Sequence, residues 1–327
     1  MSEAHAIAHA NIALAKYWGK ADVARNLPAV PSLSLTLDAL RTFTRVRFDA
    51  GLGDDRVELD GAVAEGKARD RVVALLDRVR AEAGLDARAQ VESVNDFPTA
   101  AGLASSASGF AALALAARAA AGLPEDPSRV SDLARASSAS AARSVYGGWV
   151  ALGAGATSAD RVAGPEQLSV CMWVAITVKG PKDVGSTEGM EHTRATSPYY
   201  PVWVHHAPVL FEEVRRAVLE RDFPTLGAAM EQSALMMHAS MLAARPAIRY
   251  FAPATLAAMD AVRALRKGGI AAYYTMDAGP HVKVLCQLER ADEVGHALAS
   301  VPGVERAIRC LPGPDARLVS AEEWAAR

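Results

Sequence analysis

The sequence has few cysteines and almost no net charge, and each shortage excludes a class of protein. Its 327 residues include only three cysteines, Cys171, Cys286 and Cys310, with no C-x-x-C pair. An odd, scattered set of this kind argues against a disulfide framework or a zinc site and fits a reducing cytosol. A net charge of −2 provides no field for nucleic acid or an acidic membrane, so any anionic ligand must be held by a local group of cations.

Long apolar runs are also missing. No uncharged apolar stretch reaches the roughly 18 to 20 residues that cross a bilayer. The N-terminal stretch MSEAHAIAHANIALAKYWGK lacks the basic start and apolar run of a secretory signal. The sequence therefore predicts a cytoplasmic protein with neither a membrane nor a nucleic acid as its partner.

What is present predicts a two-domain α+β protein. A hydrophobic fraction of 51% is ample for buried cores, and the length favours two domains. Hydrophobic patterning predicts strands and helices that do not alternate regularly, which favours the α+β class. Strands are expected at residues 42–48, 56–61, 168–178, 271–276 and 282–288, and helices at residues 68–84, 106–121, 207–222, 224–242 and 253–269. Composition changes at the charged segment 179–201, predicted as a loop, so the domains are predicted as residues 1–178 and 179–327.

A loop of small residues, PTAAGLASSASG at residues 98–109, is a candidate phosphate site. Gly102 can adopt unusual backbone angles, and small side chains let backbone N–H groups approach an anion. The hydroxyls of Ser105, Ser106 and Ser108 stand at the predicted start of a helix, where the dipole favours negative charge. An ordinary helix cap is the alternative interpretation.

The loop has no lysine, so it is not the common nucleotide-binding loop. The segment GAVAEGKA at residues 61–68 nearly matches that motif, but it ends in Ala68, which has no hydroxyl for Mg²⁺. A solvated turn is the simpler interpretation of that segment.

Two other segments offer cations and hydroxyls. Lys16 and Lys20, four residues apart, could hold phosphates as compact charges. Ser138, Ser140 and Arg143 lie within one or two helical turns, and the planar guanidinium of Arg143 suits a carboxylate or phosphate. Surface charge and a polar turn are the alternatives.

Asp277 is the candidate acid–base group. It follows the apolar strand YYTM and precedes Ala-Gly-Pro, which predicts a partly desolvated carboxylate in a tight turn. Such an aspartate can act as a base or an electrostatic trigger, although many aspartates in turns are structural.

Together, five blocks of sequence resemble the diphosphomevalonate decarboxylase family of the GHMP kinase superfamily. They occur in the family's order, from about Ala8 to Leu285, and read KYWGK…NLP…SLSLTL, FPTAAGLASSASGFAAL, LARASSASAARSVYGG, KDVGSTEGM…TRATSPYY and YYTMDAGPHVKVL.

The resemblance implies a fold and a reaction. The expected fold is a two-domain GHMP kinase fold, with an N-terminal domain like domain 2 of ribosomal protein S5 and a ferredoxin-like C-terminal domain. The expected reaction is phosphorylation of the 3-hydroxyl of mevalonate 5-diphosphate by ATP with Mg²⁺, followed by loss of phosphate and CO₂ to give isopentenyl diphosphate. The resemblance thus implies a role in the mevalonate pathway of isoprenoid biosynthesis. It also implies a homodimer and no redox cofactor.

The resemblance also assigns roles to residues. It implies that Asp277 is catalytic, with Lys16 as its ion-pair partner, and that Arg143 grips the substrate near its carboxylate. The ATP phosphates are expected at Gly102, Leu103, Ala104, Ser105 and Ser106, with Ser106 also at the metal. Substrate binding is expected at Tyr17, Trp18, Gly19, Lys20, Ser138, Ser140, Arg143 and Ser186. A further substrate arginine is expected at either Arg69 or Arg71.

The sequence departs from the family pattern in places, and alternatives stay open. The usual Gly-Ser-Gly-Ser block reads Ser-Ser-Ala-Ser at residues 137–140, Gly185 replaces a common serine, and His281 replaces a common asparagine. The first two changes touch the pocket for the phosphate end of the substrate, so phosphomevalonate, with isopentenyl phosphate as product, is an alternative to the diphosphate. A small-molecule kinase without decarboxylation is a second alternative. A catalytically dead nucleotide-binding regulator is a third, although neither Asp277 nor the serine loop is lost.

Overall fold

Two large sheets, each covered by helices, and one small two-stranded sheet build the described part of the molecule. The computed structural model describes residues 2–97, 105–177 and 184–327. The strands are β1 (Ser2–Ala15), β2 (Lys20–Asp22), β3 (Leu27–Pro28), β4 (Ser32–Asp49), β5 (Arg56–Leu59), β6 (Ala62–Val63), β7 (Arg88–Asn95), β8 (Trp149–Leu152), β9 (Asp160–Ala163), β10 (Val170–Ile176), β11 (Ala272–Met276), β12 (Val282–Gln287), β13 (Arg306–Cys310) and β14 (Arg317–Val319).

The helices complete an α+β fold, as predicted. They are α1 (Gly66–Ala83), α2 (Ser105–Ala120), α3 (Pro127–Ser137), α4 (Ser186–Thr196), α5 (Tyr200–Glu220), α6 (Phe223–Leu242), α7 (Pro253–Lys267), α8 (Ala291–Ala299) and α9 (Ala321–Ala325), with short 3₁₀ helices at Ala139–Val145, Pro165–Gln167 and Leu288–Arg290. In the part of the chain that the structure describes, no helix is long and apolar enough to cross a membrane.

The first sheet is built on the long antiparallel pair of β1 and β4. Its strand order is β14-β1-β4-β7-β5-β6. In addition, β8 pairs with the first residues of β4, and β9 pairs with β8. Helices α1, α2 and α3 bury their apolar faces against one side of this sheet. The alanines of α2 permit close packing on β1 and β4, and α1 ends at Gly84, whose φ of 65° suits the left-handed cap.

The second sheet has the order β11-β12-β10-β13 and is entirely antiparallel. Side chains alternate between its two faces. One face packs against α7 and α8, whereas the other shares a core with α5, α6 and apolar residues of β1, β4 and β8. The shared core joins the two sheets and brings the end of β1 close to the end of β11.

The predicted domain boundary between residues 178 and 179 stays a prediction. The strands on either side of it pair as follows. β10 precedes that point but pairs with β12 and β13 in the second sheet. β14, near the C-terminus, pairs with β1 in the first sheet. The polypeptide therefore enters the second sheet before residue 178 and returns to the first at its end.

The loop prediction for residues 179–201 is wrong over residues 186–196, which form α4, and at residues 200 and 201, which begin α5. Residues 178–183 lie outside the described part of the chain. The α4 helix buries Met190, and Gly189 lies so close to Trp18 that an added Cβ would be 3.1 Å from the indole ring. Tertiary contact thus stabilises a segment whose composition is typical of a loop.

Candidate active site

The ends of β1 and β11 bring Lys16 and Asp277 into contact. Each residue directly follows its strand, and the Lys16 Nζ lies 2.6 Å from the Asp277 Oδ1. The backbone N–H of Lys16 donates a hydrogen bond of 2.9 Å to the Ser233 hydroxyl on α6. The expected ion pair is therefore present, and three elements fix its position.

A second ammonium group contacts the same carboxylate. Lys283 in β12 places its Nζ 3.0 Å from the Asp277 Oδ2. Both lysine side chains are at most 1% exposed, whereas the Asp277 side chain is 27% exposed and so open to a ligand. Burial by itself would raise the pKa of Asp277, but the two lysines hold it well below its ordinary value. Burial lowers the pKa of Lys16 to about 8, against the opposing effect of Asp277.

Arg143 is buried beside this pair. It lies in the 3₁₀ helix after α3 and donates hydrogen bonds from Nε to the Ser34 hydroxyl at 3.0 Å and from Nη1 to the Ser32 hydroxyl at 2.8 Å. Burial lowers its pKa to about 10, while the charge of Asp277 acts in the opposite direction. The guanidinium thus remains a cation at neutral pH, and two serines of β4 orient it.

Tyr17, Trp18 and Gly19 form the chain between this cluster and β2. The buried Tyr17 hydroxyl has no hydrogen-bond partner among the described residues, and burial raises its pKa. The Trp18 carbonyl accepts a hydrogen bond of 2.8 Å from the Trp203 indole N–H. Gly19 has a φ of 114°, and an added Cβ would lie 2.1 Å from the Tyr200 hydroxyl oxygen, so the position requires glycine.

A second group of cations lies near the turn that follows α3. Half-buried Lys20 has its pKa lowered by burial and by the charges of Arg71 and Lys67. Arg71 donates a hydrogen bond of 2.8 Å to the Ser137 carbonyl, next to Ser138.

The serine turn itself supplies two hydroxyls. The Ser138 and Ser140 oxygens are 3.2 Å apart, and the Ser140 carbonyl accepts a hydrogen bond of 3.0 Å from the Asn11 amide. Arg69 instead bonds Asp54 at 2.6 Å. Of the two candidate arginines, only Arg71 contacts the serine turn in the described structure.

The helix start predicted for the phosphate loop is present at Ser105. Ser106 is exposed in the first turn of α2, where the helix dipole and the backbone N–H groups favour an anion. Ser108 does not contribute a free hydroxyl, which corrects the prediction, because it is buried and bonds the Thr42 hydroxyl at 2.6 Å. Gly102, Leu103 and Ala104 lie outside the described residues.

Two further residues singled out in the sequence are Ser186, an expected substrate-binding residue, and His281, which replaces a common asparagine. Ser186 is the first residue of α4 and is partly exposed, directly after Gly185. His281 is buried, and its Nδ1 accepts a hydrogen bond of 3.2 Å from the Thr177 backbone N–H. That bond places the proton of the neutral ring on Nε2.

Sequence reasoning missed several residues of the cluster. The sequence did contain a signal for Lys283, because a lysine within the mostly apolar strand VKVLCQ must find a partner if it is buried. The sequence contained no signal for Ser32, Ser34 and Ser233, because serines are common in strands and helices. Only the fold shows which of them reach Lys16 and Arg143.

Comparison with known proteins decides the family. Residues 8–163 match the model of the diphosphomevalonate decarboxylase-like N-terminal domain, and residues 172–318 match that of the mevalonate 5-diphosphate decarboxylase C-terminal domain. The chain belongs to the diphosphomevalonate decarboxylase family.

Individual family members are similar over nearly their whole length. The diphosphomevalonate decarboxylase of Candida albicans is 33% identical, over 96% of this chain and 97% of its own. The phosphomevalonate decarboxylase of Haloferax volcanii is 32% identical, over 95% and 96%.

Solved structures of this family share the fold. The mevalonate diphosphate decarboxylase from Enterococcus faecalis superposes with a TM-score of 0.90 at 39% identity, covering 98% of this chain and 99% of that one. The complex of MDDEF with MVAPP, AMPPCP and magnesium has a TM-score of 0.91, with the same identity and coverage.

Proposed function

We propose that the protein catalyses the ATP-dependent decarboxylation of mevalonate 5-diphosphate to isopentenyl diphosphate, in the mevalonate pathway. The observation that carries the proposal is the partly exposed Asp277 carboxylate, paired with Lys16 beside the buried cation Arg143, in a chain that matches both domains of the family. No redox cofactor takes part in this reaction.

Asp277 serves the first step. It accepts the proton of the substrate 3-hydroxyl while that oxygen bonds the γ-phosphorus of ATP and the bond to ADP breaks. Lys16 keeps the carboxylate ionised. A tertiary alcohol is a crowded nucleophile, so orientation of the hydroxyl within about 3 Å of the carboxylate matters as much as basicity.

Arg143 serves the second step. Its guanidinium holds the substrate carboxylate as the C3–O bond breaks and its electron pair leaves with the phosphate. The bond to the carboxylate carbon then breaks, and its electrons form the alkene as CO₂ departs. The surrounding cations stabilise the departing phosphate.

The start of α2 suits the ATP phosphates. Its first N–H groups and the hydroxyls of Ser105 and Ser106 can bind phosphate oxygens, together with Gly102, Leu103 and Ala104. The exposed Ser106 hydroxyl fits one position of a Mg²⁺ ion, which usually takes few protein ligands and completes its shell with water and phosphate oxygens. Mg²⁺ would neutralise charge on the transferred phosphoryl group.

The phosphate end of the substrate fits the second group of cations. Lys20 and Arg71 supply charge, and Ser138 and Ser140 supply hydroxyls. Tyr17, Trp18 and Gly19 shape the pocket between this group and Asp277, and Ser186 adds a hydroxyl at the start of α4. We therefore assign the further substrate arginine to Arg71 rather than Arg69.

The remaining parts of the proposal concern the whole protein. It acts in the cytoplasm as a homodimer, and its ATP-binding and C-terminal parts divide near residue 178. The sparse cysteines and the family resemblance support these statements.

Decarboxylation of phosphomevalonate is the second candidate function. The similarity to the Haloferax volcanii phosphomevalonate decarboxylase favours it, as does the Ser-Ser-Ala-Ser turn at residues 137–140, where the family pattern has two glycines. The cations Lys20 and Arg71 can hold either one phosphate or two.

One assay separates the candidates. ADP and CO₂ release are measured with mevalonate, its 5-phosphate and its 5-diphosphate side by side, with MgATP. We expect both products with the diphosphate at the highest kcat/KM. A preference for the 5-phosphate would replace the main proposal with the second candidate, and ADP without CO₂ would leave a kinase.

A further inference from the structure

The Asp277 carboxylate is held from two sides by buried ammonium groups. Lys16 contacts Oδ1 from the end of β1, and Lys283 contacts Oδ2 from β12. An ionised carboxylate offers about four lone-pair sites. Lys16 occupies one of these sites with its hydrogen bond to Oδ1, whereas Lys283 holds Oδ2 by ion-pair contact at 3.0 Å, so lone pairs on both oxygens remain for a ligand.

Lys283 has no other carboxylate partner in the part of the chain that the structure describes. The residues opposite it on the neighbouring strands are Val174 in β10 and Thr275 in β11, and neither carries a charge. Burial of an ammonium ion costs several kcal/mol, and an apolar residue of similar volume often stabilises a protein more. The presence of Lys283 is therefore poorly explained by stability alone.

Building on the function proposed above, we propose that Lys283 is a positioning residue for the reaction. It fixes the second oxygen of Asp277, so that the carboxylate cannot rotate about its last bond and keeps its free lone pairs directed at the substrate 3-hydroxyl. Lys16 alone would hold only one oxygen.

The charges around the Asp277 carboxylate predict how the pKa of Lys16 changes when Lys283 is removed. Lys16, Lys283 and Arg143 are cations, whereas burial lowers the pKa of His238 to about 3 and of His281 to about 4, so both histidines are neutral at pH 7. The positive charge of Lys283 also contributes to the lowered pKa of Lys16, after burial as the main cause. Removal of Lys283 should therefore raise the pKa of Lys16.

The test is the Lys283→Met variant, which keeps the apolar stem and removes the charge. We expect kcat to fall by about 10²-fold, the size of effect that misplacement of a reacting group produces, with a much smaller change in the substrate KM. The alkaline limb of the kcat/KM profile should move to higher pH, because Lys16 keeps its proton longer.

Leu285→Met is the matched control, since Leu285 lies two residues further along the same strand, on the same face, and contributes only to the core. It should retain the wild-type kcat and pH profile, because such a swap conserves volume. Thermal unfolding of both variants checks the fold, and Lys283→Gln provides a second uncharged replacement.

Two outcomes would overturn the inference. One is a wild-type kcat in Lys283→Met; the other is a reduced kcat with an unmoved alkaline limb, which indicates a structural role only. Failure of the proposed function looks different, because the wild-type protein would then release ADP without CO₂. The same pH comparison on ADP release would still test Lys283.

Discussion

At the scale of single residues, Asp277 carries the main chemical prediction. Asp277→Asn keeps the shape of the side chain but removes its charge, so it can neither accept a proton nor pair with Lys16 and Lys283. We expect turnover to fall by about 10²–10⁴-fold, the range of general acid–base catalysis, with nearly unchanged affinity for an ATP analogue. Steady-state kinetics and fluorescence titration measure the two quantities.

The control for this variant is Asp292→Asn, at an exposed carboxylate on α8 that bonds Arg309. It should behave like the wild type in both measurements. Near-wild-type turnover in Asp277→Asn would remove the proposed role of this aspartate.

Lys16 predicts the pH dependence of the reaction. Its pKa is lowered to about 8, so the ammonium group is present below that pH and is lost as the pH rises through it. Asp277 then loses one of its counter-charges, and kcat/KM should decline with a midpoint at about pH 8. Rate profiles between neutral and alkaline pH test this, with thermal unfolding at each pH as the control. An activity that stays level well above this pH would show that protonated Lys16 is not required.

At the scale of secondary structure, the start of α2 separates a ligand-binding serine from a structural one. Ser106 is exposed in the first turn, whereas Ser108 is buried against Thr42. Ser106→Ala should weaken MgATP binding and turnover without loss of stability. Ser108→Ala should leave nucleotide affinity unchanged and lower the free energy of unfolding by about 1 kcal/mol, the usual value of one hydrogen bond. Equal effects of the two variants on nucleotide affinity would contradict the assignment.

Elements with a strong apolar period were predictable, and those defined by tertiary contact were not. The apolar spacing and Gly84 placed α1 correctly, and alternation placed the second half of β4. The α4 helix was missed because its surface is polar and its stability depends on contact with Trp18.

In the candidate site, too, the features that depend on tertiary contact could not be predicted from the sequence. Resemblance supplied Lys16 and Asp277, but it could not separate Arg69 from Arg71. Two residues apart on a helix, these arginines point in different directions, so only the packing of α1 shows which one reaches the serine turn.

At the scale of the whole molecule, a shared core couples the two sheets. Leu33 and Trp149 of the first sheet and Met172 and Leu285 of the second are fully buried in one apolar cluster, and β14 returns to pair with β1. Because neither sheet can expose its inner face without opening this core, we expect one cooperative unfolding transition.

Native-state hydrogen exchange in increasing urea tests this coupling. Backbone amides in the centre of β4 and in β12 should open with the same free energy, since both open only when the shared core is lost. Peptides from α9, at the edge of the molecule, serve as the internal control and should exchange at lower free energy. If β12 opens well before β4, the two halves unfold separately. The position of Lys283 relative to Lys16 would then depend on how the two halves dock, rather than on one continuous core.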